Sequence, residues 1–346
     1  MDVIKFSPIT ELTIRRKNQP LKSHCGFITI FAGFLLILKM KQRETKLAYL
    51  SLAIVCVLWG TTYTGIRVGV ETIPPMLLSA MRLITAGSCF LILWSRSISW
   101  KSVGKTFLSA HAVAGFFLFS LGNGLVCLAE VGIASSLAAI IGSLIPIWVL
   151  LINQIMNRSE KPNLVVIAGM VIGLGGIVLI YGEHAGSSML MSISGVLLMF
   201  AAGVSWAFGS VWLKRKHIES DPFSTAGFQM LIGGALLIPA SLLTESWSPS
   251  AFSSRSVYAL IYLITFGSML AYFCFLYALK RLPVTIVSLY AYINPIVALL
   301  FGWLLLDEKV NARILIGMVI TLLGVYLVNR GAGNLKGNPA ENNAEA

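Results

Sequence analysis

A few residues stand out because their chemistry is costly in the apolar runs that hold them. Arg82 lies seven residues after Pro75, inside an apolar stretch. An arginine at that depth usually faces a protein interior and a partner. It offers a docking point for a substrate carboxylate or phosphate; the structural alternative is a bond to main-chain carbonyls, or snorkelling to the interface. Glu130 ends the next apolar run, in Ala129-Glu130-Val131, with no basic residue within a turn. If buried, its carboxyl would hold a proton and could couple to a proton gradient; otherwise it is a solvated loop carboxylate. A third reading pairs Arg82 with Glu130.

Aromatic and amide side chains extend the set. Trp59 and Trp206 sit deep in their runs, placed to line a cavity or to pack helices. Asn123, Tyr272, Tyr290, Tyr292 and Asn294 put polar tips within apolar segments, which suits either substrate contact or interhelical hydrogen bonding. Tyr290 and Asn294 are four apart and share a helix face. Pro146 and Pro295 fall within spans, where a missing N–H predicts kinks. Glu160 and Glu308, each followed by lysine, read as helix-start charges.

Enzyme chemistry finds no footing. There is no Walker loop and no Gly-x-Ser-x-Gly elbow. Gly173, Gly175 and Gly176 follow no strand, so helix packing replaces a dinucleotide reading. His24, His111, His184 and His217 are scattered, which argues against zinc. Cys25, Cys56, Cys89, Cys127 and Cys274 lie in apolar segments without a CxxC and read as small hydrophobes. No catalytic residue, metal or cofactor is expected.

The elements that must position these groups follow from composition. Of 346 residues, 57% are hydrophobic and 12% charged, and the mean hydropathy is +0.83. A soluble fold cannot hide that much apolar surface. The chain is expected to be an all-α polytopic membrane protein. Runs near the roughly 20 residues needed to cross a bilayer occur at 47–66, 76–94, 107–129, 133–156, 164–182, 190–213, 223–243, 256–279, 282–306 and 312–329, ten in all.

The net charge of +12 is topogenic and does not indicate nucleic acid. With the start of span 1 in the cytoplasm, 16 Lys and Arg fall inside and 4 outside. Both ends of the ten-span unit are thereby expected in the cytoplasm. Residues 1–45 read as a cytoplasmic N-terminal extension, of which 1–39 is an accessory or mis-assigned segment. Its apolar run, 25–38, is 14 residues long and short for a span. Residues 330–346 read as a disordered cytoplasmic tail.

An internal repeat divides the spans into two fives, 46–182 and 190–329. Pro146 matches Pro295, Glu160-Lys161 matches Glu308-Lys309, Gly169 matches Gly317, and Gly176 matches Gly324. Trp59 matches Trp206, Arg82 matches Gln229, and Gly87 matches Gly234, all at an offset of 147. Asn123 falls near Tyr272. Five is odd, so the second half must enter the membrane from the opposite side. Such inverted repeats are common in secondary transporters.

Leu58-Trp59-Gly60-Thr61-Thr62, Pro74-Pro75 followed by Arg82, and the two Pro…Glu-Lys…Gly blocks resemble the EamA family of the drug/metabolite transporter superfamily. Ser205-Trp206-Ala207-Phe208-Gly209-Ser210 is similar to a bacterial inner-membrane branch. The resemblance covers about residues 46–329. It implies ten helices around a cavity lined by spans 1–4 and 6–9, and export of small metabolites such as amino acids, their derivatives and toxic compounds. The expected protein is a multi-pass secondary transporter of the cell membrane working by alternating access. Its partners are a small-molecule substrate and the lipid bilayer, and it is a monomer or homodimer. The substrate-binding set is Trp59, Arg82, Asn123, Trp206, Gln229, Tyr272, Tyr290, Tyr292 and Asn294, with Glu130 as coupling residue and Pro146 and Pro295 as kinks. Uptake or exchange of an anionic metabolite is one alternative; a lipid scramblase or membrane enzyme is another.

Overall fold

The computed structural model describes residues 25–97, 103–157, 163–181, 189–216, 221–282 and 284–336. Two compact units divide the chain, Met1–Lys46 and Leu47–Ala346. In the first, the described residues are helical from Cys25 on. The expectations for residues 1–24, for Glu160 and for the end of the tail lie outside the described residues.

All described regular elements are helices. They are α1 (Cys25–Gly69), α2 (Pro75–Leu93), α3 (Lys105–Gly115), α4 (Gly122–Ala129), α5 (Ser135–Gly142), α6 (Ile145–Asn157) and α7 (Leu164–Tyr181). The second half gives α8 (Met189–Arg215), α9 (Pro222–Thr244), α10 (Ser254–Tyr262), α11 (Ala271–Leu279), α12 (Val284–Val287), α13 (Tyr290–Leu306) and α14 (Ala312–Lys336). Eight helical stretches are long and apolar enough to span a membrane, and Leu164–Ile180 and Tyr290–Leu306 are two shorter apolar helices. Together they occupy the places of the ten predicted runs. The outward surface is apolar: Leu164, Val171 and Val178, on one side of α7, are 83%, 66% and 70% exposed. Lipid, not water, suits such a face.

Small residues at matched repeat positions set the helix pairing. A Cβ added at Gly169 would meet the Gly324 carbonyl oxygen at 2.7 Å, and one added at Gly176 would meet the Gly317 carbonyl oxygen at 2.6 Å. As α7 ascends, α14 descends, so spans 5 and 10 run antiparallel at backbone contact. The same holds for α2 and α9: Gly87 abuts Gly227 and Leu231, while Gly234 abuts Leu83 and Ile84. Where lipid offers no hydrophobic drive, such close approach is what binds helices. Antiparallel pairing of equivalent helices is the arrangement that two halves of opposite insertion require.

Helix starts are capped locally by matched asparagines. Asn163 Oδ1 accepts from Val166 N at 2.9 Å, and Asn311 Oδ1 accepts from Ile314 N at 3.0 Å. The reading of Glu308 as a helix-start charge is therefore corrected. Its carboxylate instead caps α5, in the other half: Oε1 accepts from Ser135 N and Oγ, both at 2.7 Å, and Oε2 accepts from Ser136 N at 3.2 Å and Oγ at 2.5 Å. Gly302 makes room for it, since a Cβ there would meet Oε2 at 2.6 Å.

The prolines also differ from expectation. Pro146 sits in the first turn of α6, after a break between Gly142 and Ile145. There its missing N–H has no partner to lose, so span 4 is broken, not kinked at an interior proline. Pro295 lies inside α13. Span 9 breaks earlier, between Val287 and Tyr290. Helix α14 continues through Arg330 to Lys336, beyond the predicted end of span 10. The Gly331 carbonyl there accepts from Asn163 Nδ2 at 3.2 Å.

Candidate functional site

Spans 3 and 8 each contain a π-helical insert, Phe116–Leu121 between α3 and α4 and Leu263–Leu270 between α10 and α11. The two lie at equivalent places in the repeat. A π turn shifts the register of the helix face by one residue and is frequent at functional sites. Phe119, Gly122 and Asn123 from the first, and Gly267, Ser268 and Tyr272 from the second, border one central cavity.

That cavity has a volume of about 130 Å³. Helix α1 contributes Trp59, Thr62, Tyr63 and Ile66, a stripe at i, i+3, i+4 and i+7. Helix α8 contributes Met199, Ala202, Gly203 and Trp206 with the same spacing. Arg82 and Leu83 come from α2, Met230 from α9, and Tyr290 and Asn294 from α13. Gly142 and Ile145 flank the break in span 4. The walls thus come from spans 1–4 and 6–9, and α7 and α14 contribute nothing to the lining among the described residues.

Among the described residues that line the cavity, Arg82 alone is charged. Its residue is 7% exposed, and its Nε donates to Ser268 Oγ at 2.7 Å. Gly267 lies beside the guanidinium; a Cβ there would stand 3.5 Å from Nη2. Helix α2 is anchored by Glu245, whose carboxylate accepts from Met76 N at 2.7 Å and Leu77 N at 3.1 Å. The hydroxyl of Ser241 also donates to that carboxylate.

Aromatic rings line the same cavity as this cation. The Trp59 ring lies 5.0 Å from those of Phe275 and Tyr290 and 6.3 Å from that of Tyr272. Trp206 meets Phe119 at 5.8 Å, edge to face. Asn294, with its amide turned to donate, bonds the carbonyls of Tyr290 and Cys56 at 3.0 Å each. It ties α13 to α1 one residue before Pro295.

Of the residues expected to bind substrate, the cavity gathers Trp59, Arg82, Asn123, Trp206, Tyr272, Tyr290 and Asn294. It does not gather Gln229 or Tyr292. Gln229, on α9, is buried with Nε2 3.0 Å from Nδ1 of His111, on α3. The Tyr292 hydroxyl accepts from Asn329 Nδ2, on α14. Tyr290 and Tyr292 are two apart, so a helix turns them to different sides.

The Arg82–Glu130 ion pair is absent. Arg82 bonds Ser268, while both carboxylate oxygens of Glu130 are buried without a hydrogen-bond partner. Glu130 lies just past α4, beside but not on the cavity wall. Arg67 Nη1 donates to its main-chain oxygen at 2.7 Å. Burial, then the nearby Glu308 carboxylate, pushes the Glu130 carboxyl well above the ordinary carboxylate range; Arg67 and Arg82 oppose this.

Sequence reasoning missed Thr62, Tyr63, Phe119 and Ser268. The stripe from Trp59 reaches Tyr63 four residues on, so that signal was available. Ser268 carried none, being 186 residues from Arg82.

An apolar-surfaced helical bundle whose equivalent helices pair antiparallel around a largely aromatic cavity is the construction of a multi-pass membrane transporter. The profile of the EamA-like transporter family matches residues 46–182 and 193–330. The chain belongs to this family, a member of the drug/metabolite transporter type. It is 29% identical over 297 residues to the uncharacterized inner membrane transporter YedA of Escherichia coli K12, covering 84% of this chain and 94% of YedA. It is 25% identical over 275 residues to the uncharacterized transporter YoaV of Bacillus subtilis 168, covering 79% of this chain and 93% of YoaV. The WAT1-related protein At3g02690, chloroplastic, of Arabidopsis thaliana is 28% identical over 292 residues, covering 80% of this chain and 68% of that protein. One solved crystal structure, 21% identical, superposes with a TM-score of 0.59 over 84% of this chain and 98% of its own, a likeness of fold.

Proposed function

We propose that this transporter is a secondary active exporter of small metabolites in the cytoplasmic membrane, working by alternating access between its halves. The observation that carries the reading is the central cavity, enclosed by helices of both repeats and holding one fixed cation. Its antiparallel helix pairs allow one half to rock against the other around a site near the middle. Trp59, Arg82, Asn123, Trp206, Tyr272, Tyr290 and Asn294 contact the substrate, while Gln229 and Tyr292 hold helices together. Glu130 carries the coupling proton, as its buried, unpartnered carboxyl favours. The 16-to-4 bias of Lys and Arg supports an orientation with both ends of the span unit in the cytoplasm.

The test is efflux from proteoliposomes loaded with a labelled metabolite mixture. At least one component should leave faster than from protein-free vesicles. Arg82→Ala should abolish that efflux, and Glu130→Gln should remove its dependence on a proton gradient. Efflux unchanged by both substitutions would overturn the site.

A further inference from the structure

We propose that the species bound in the cavity is a small organic monoanion with a flat apolar body, its carboxylate on Arg82 and its body among the aromatic rings, rather than a zwitterionic amino acid. This rests on the cavity being the substrate site.

The charge count argues for it. Among the described residues, one guanidinium and no carboxylate line the cavity. Ser268 engages Arg82 through Nε alone, which leaves the terminal nitrogens as a fork suited to a carboxylate. An unpaired buried cation is costly, and an anion between the halves relieves that cost. A zwitterion would bring an ammonium that needs its own counter-charge. The cavity offers only hydroxyl and amide tips, and Arg82 repels the ammonium at short range. Ring faces are a weak substitute, because Trp59 is already packed by Phe275 and Tyr290 at 5.0 Å each. Glu130 is not among the residues that line the cavity.

The shape argues for the rest. Trp59, Phe119, Trp206, Tyr272 and Tyr290 line a cavity of about 130 Å³. Such walls favour a flat apolar group over a branched or polyhydroxylated one, whose hydroxyls would outnumber the partners available.

A matched series separates charge from shape. Thermal stabilisation of the purified full chain is measured with phenylacetate, phenylalanine, phenethylamine, 2-phenylethanol and acetate. Phenylacetate should stabilise at concentrations at least about tenfold lower than any other member, a gap of about 1.4 kcal/mol in affinity. Arg82→Gln should erase that preference. Ser268→Ala, which keeps the charge but frees the guanidinium, should weaken phenylacetate and leave 2-phenylethanol unchanged. Stronger stabilisation by phenylalanine or phenethylamine, or none by phenylacetate, overturns the proposal. Acetate equalling phenylacetate overturns the flat apolar body. Flux in proteoliposomes keeps the two readings apart. Phenylacetate that binds through Arg82 but never crosses sinks transport and spares the class; phenylalanine that crosses without any anion preference does the reverse.

Discussion

At Glu130, burial and the nearby Glu308 carboxylate favour the protonated carboxyl. Both of its oxygens are buried and unbonded, so the neutral form fits the folded protein better than the charged one. The charged groups around it are Glu308, Arg67 and Arg82, and desolvation outweighs the two arginines. The folded carboxyl therefore keeps its proton above the ordinary value of 4.5, where the unfolded chain has lost it. In that window the folded state holds more protons, so stability falls as pH rises from 4.5 toward the raised folded value. Above it the destabilisation is complete. Glu130→Gln mimics the neutral form and should flatten this part of the curve, with a higher melting temperature at neutral pH. A melting profile with the same slope as the unaltered protein would show that Glu130 stays ionised. Ser268 makes the complementary point at the same scale. A single hydroxyl from span 8 fixes how the arginine of span 2 presents itself.

At the scale of elements, helix ends and helix breaks carry the architecture. Glu308 caps α5 with four hydrogen bonds, two from main-chain N–H groups and two from hydroxyls. An N-terminus buried without such a partner leaves its first N–H groups unsatisfied. Glu308→Ala should lower stability by about 1–3 kcal/mol, read as a fall in melting temperature in detergent, and Glu308→Gln by less. An unchanged melting temperature in Glu308→Ala would mean that water replaces the carboxylate. The π inserts of spans 3 and 8 act on the cavity instead. They bring Asn123 and Tyr272, near one another in the repeat match, to the same cavity from opposite halves.

For the whole molecule, the Glu308 cap is a tie between halves. The first half of span 4, α5, is held by the loop that follows span 9, whereas α6, beyond the break, packs against α8 and α14. In the alternating access proposed above, rocking of one half on the other would release the tie at one extreme of motion. Paired cysteines at Ser136 and Glu308, in a background cleared of the native 5 cysteines, should block flux when cross-linked and restore it on reduction. Flux that persists through complete cross-linking would place the moving joint elsewhere. The same view bears on direction. A monoanion leaving a cell with a negative interior is driven outward by roughly 2.3 kcal/mol per 100 mV, so an anionic substrate and export are energetically consistent.

The sequence by itself determined what depends on local composition and on period. Its apolar runs placed the spans, and the Gly169/Gly317 and Gly176/Gly324 matches pointed to two halves. Those glycines then met across the α7–α14 contact. The seven expected residues that line the cavity carried a local signal: a polar, charged or aromatic side chain deep in a span. Gln229 and Tyr292 carried the same signal and point elsewhere, because a polar tip within a helix can face any of several neighbours. Only the tertiary structure chose among them. It also gave Arg82 to Ser268 rather than to Glu130, sent Glu308 to the other half, and moved the helix breaks away from the centre of each proline effect. Each of those outcomes joins groups far apart in the chain, and spacing along one helix holds no information about which distant hydroxyl, carboxylate or ring will arrive beside it.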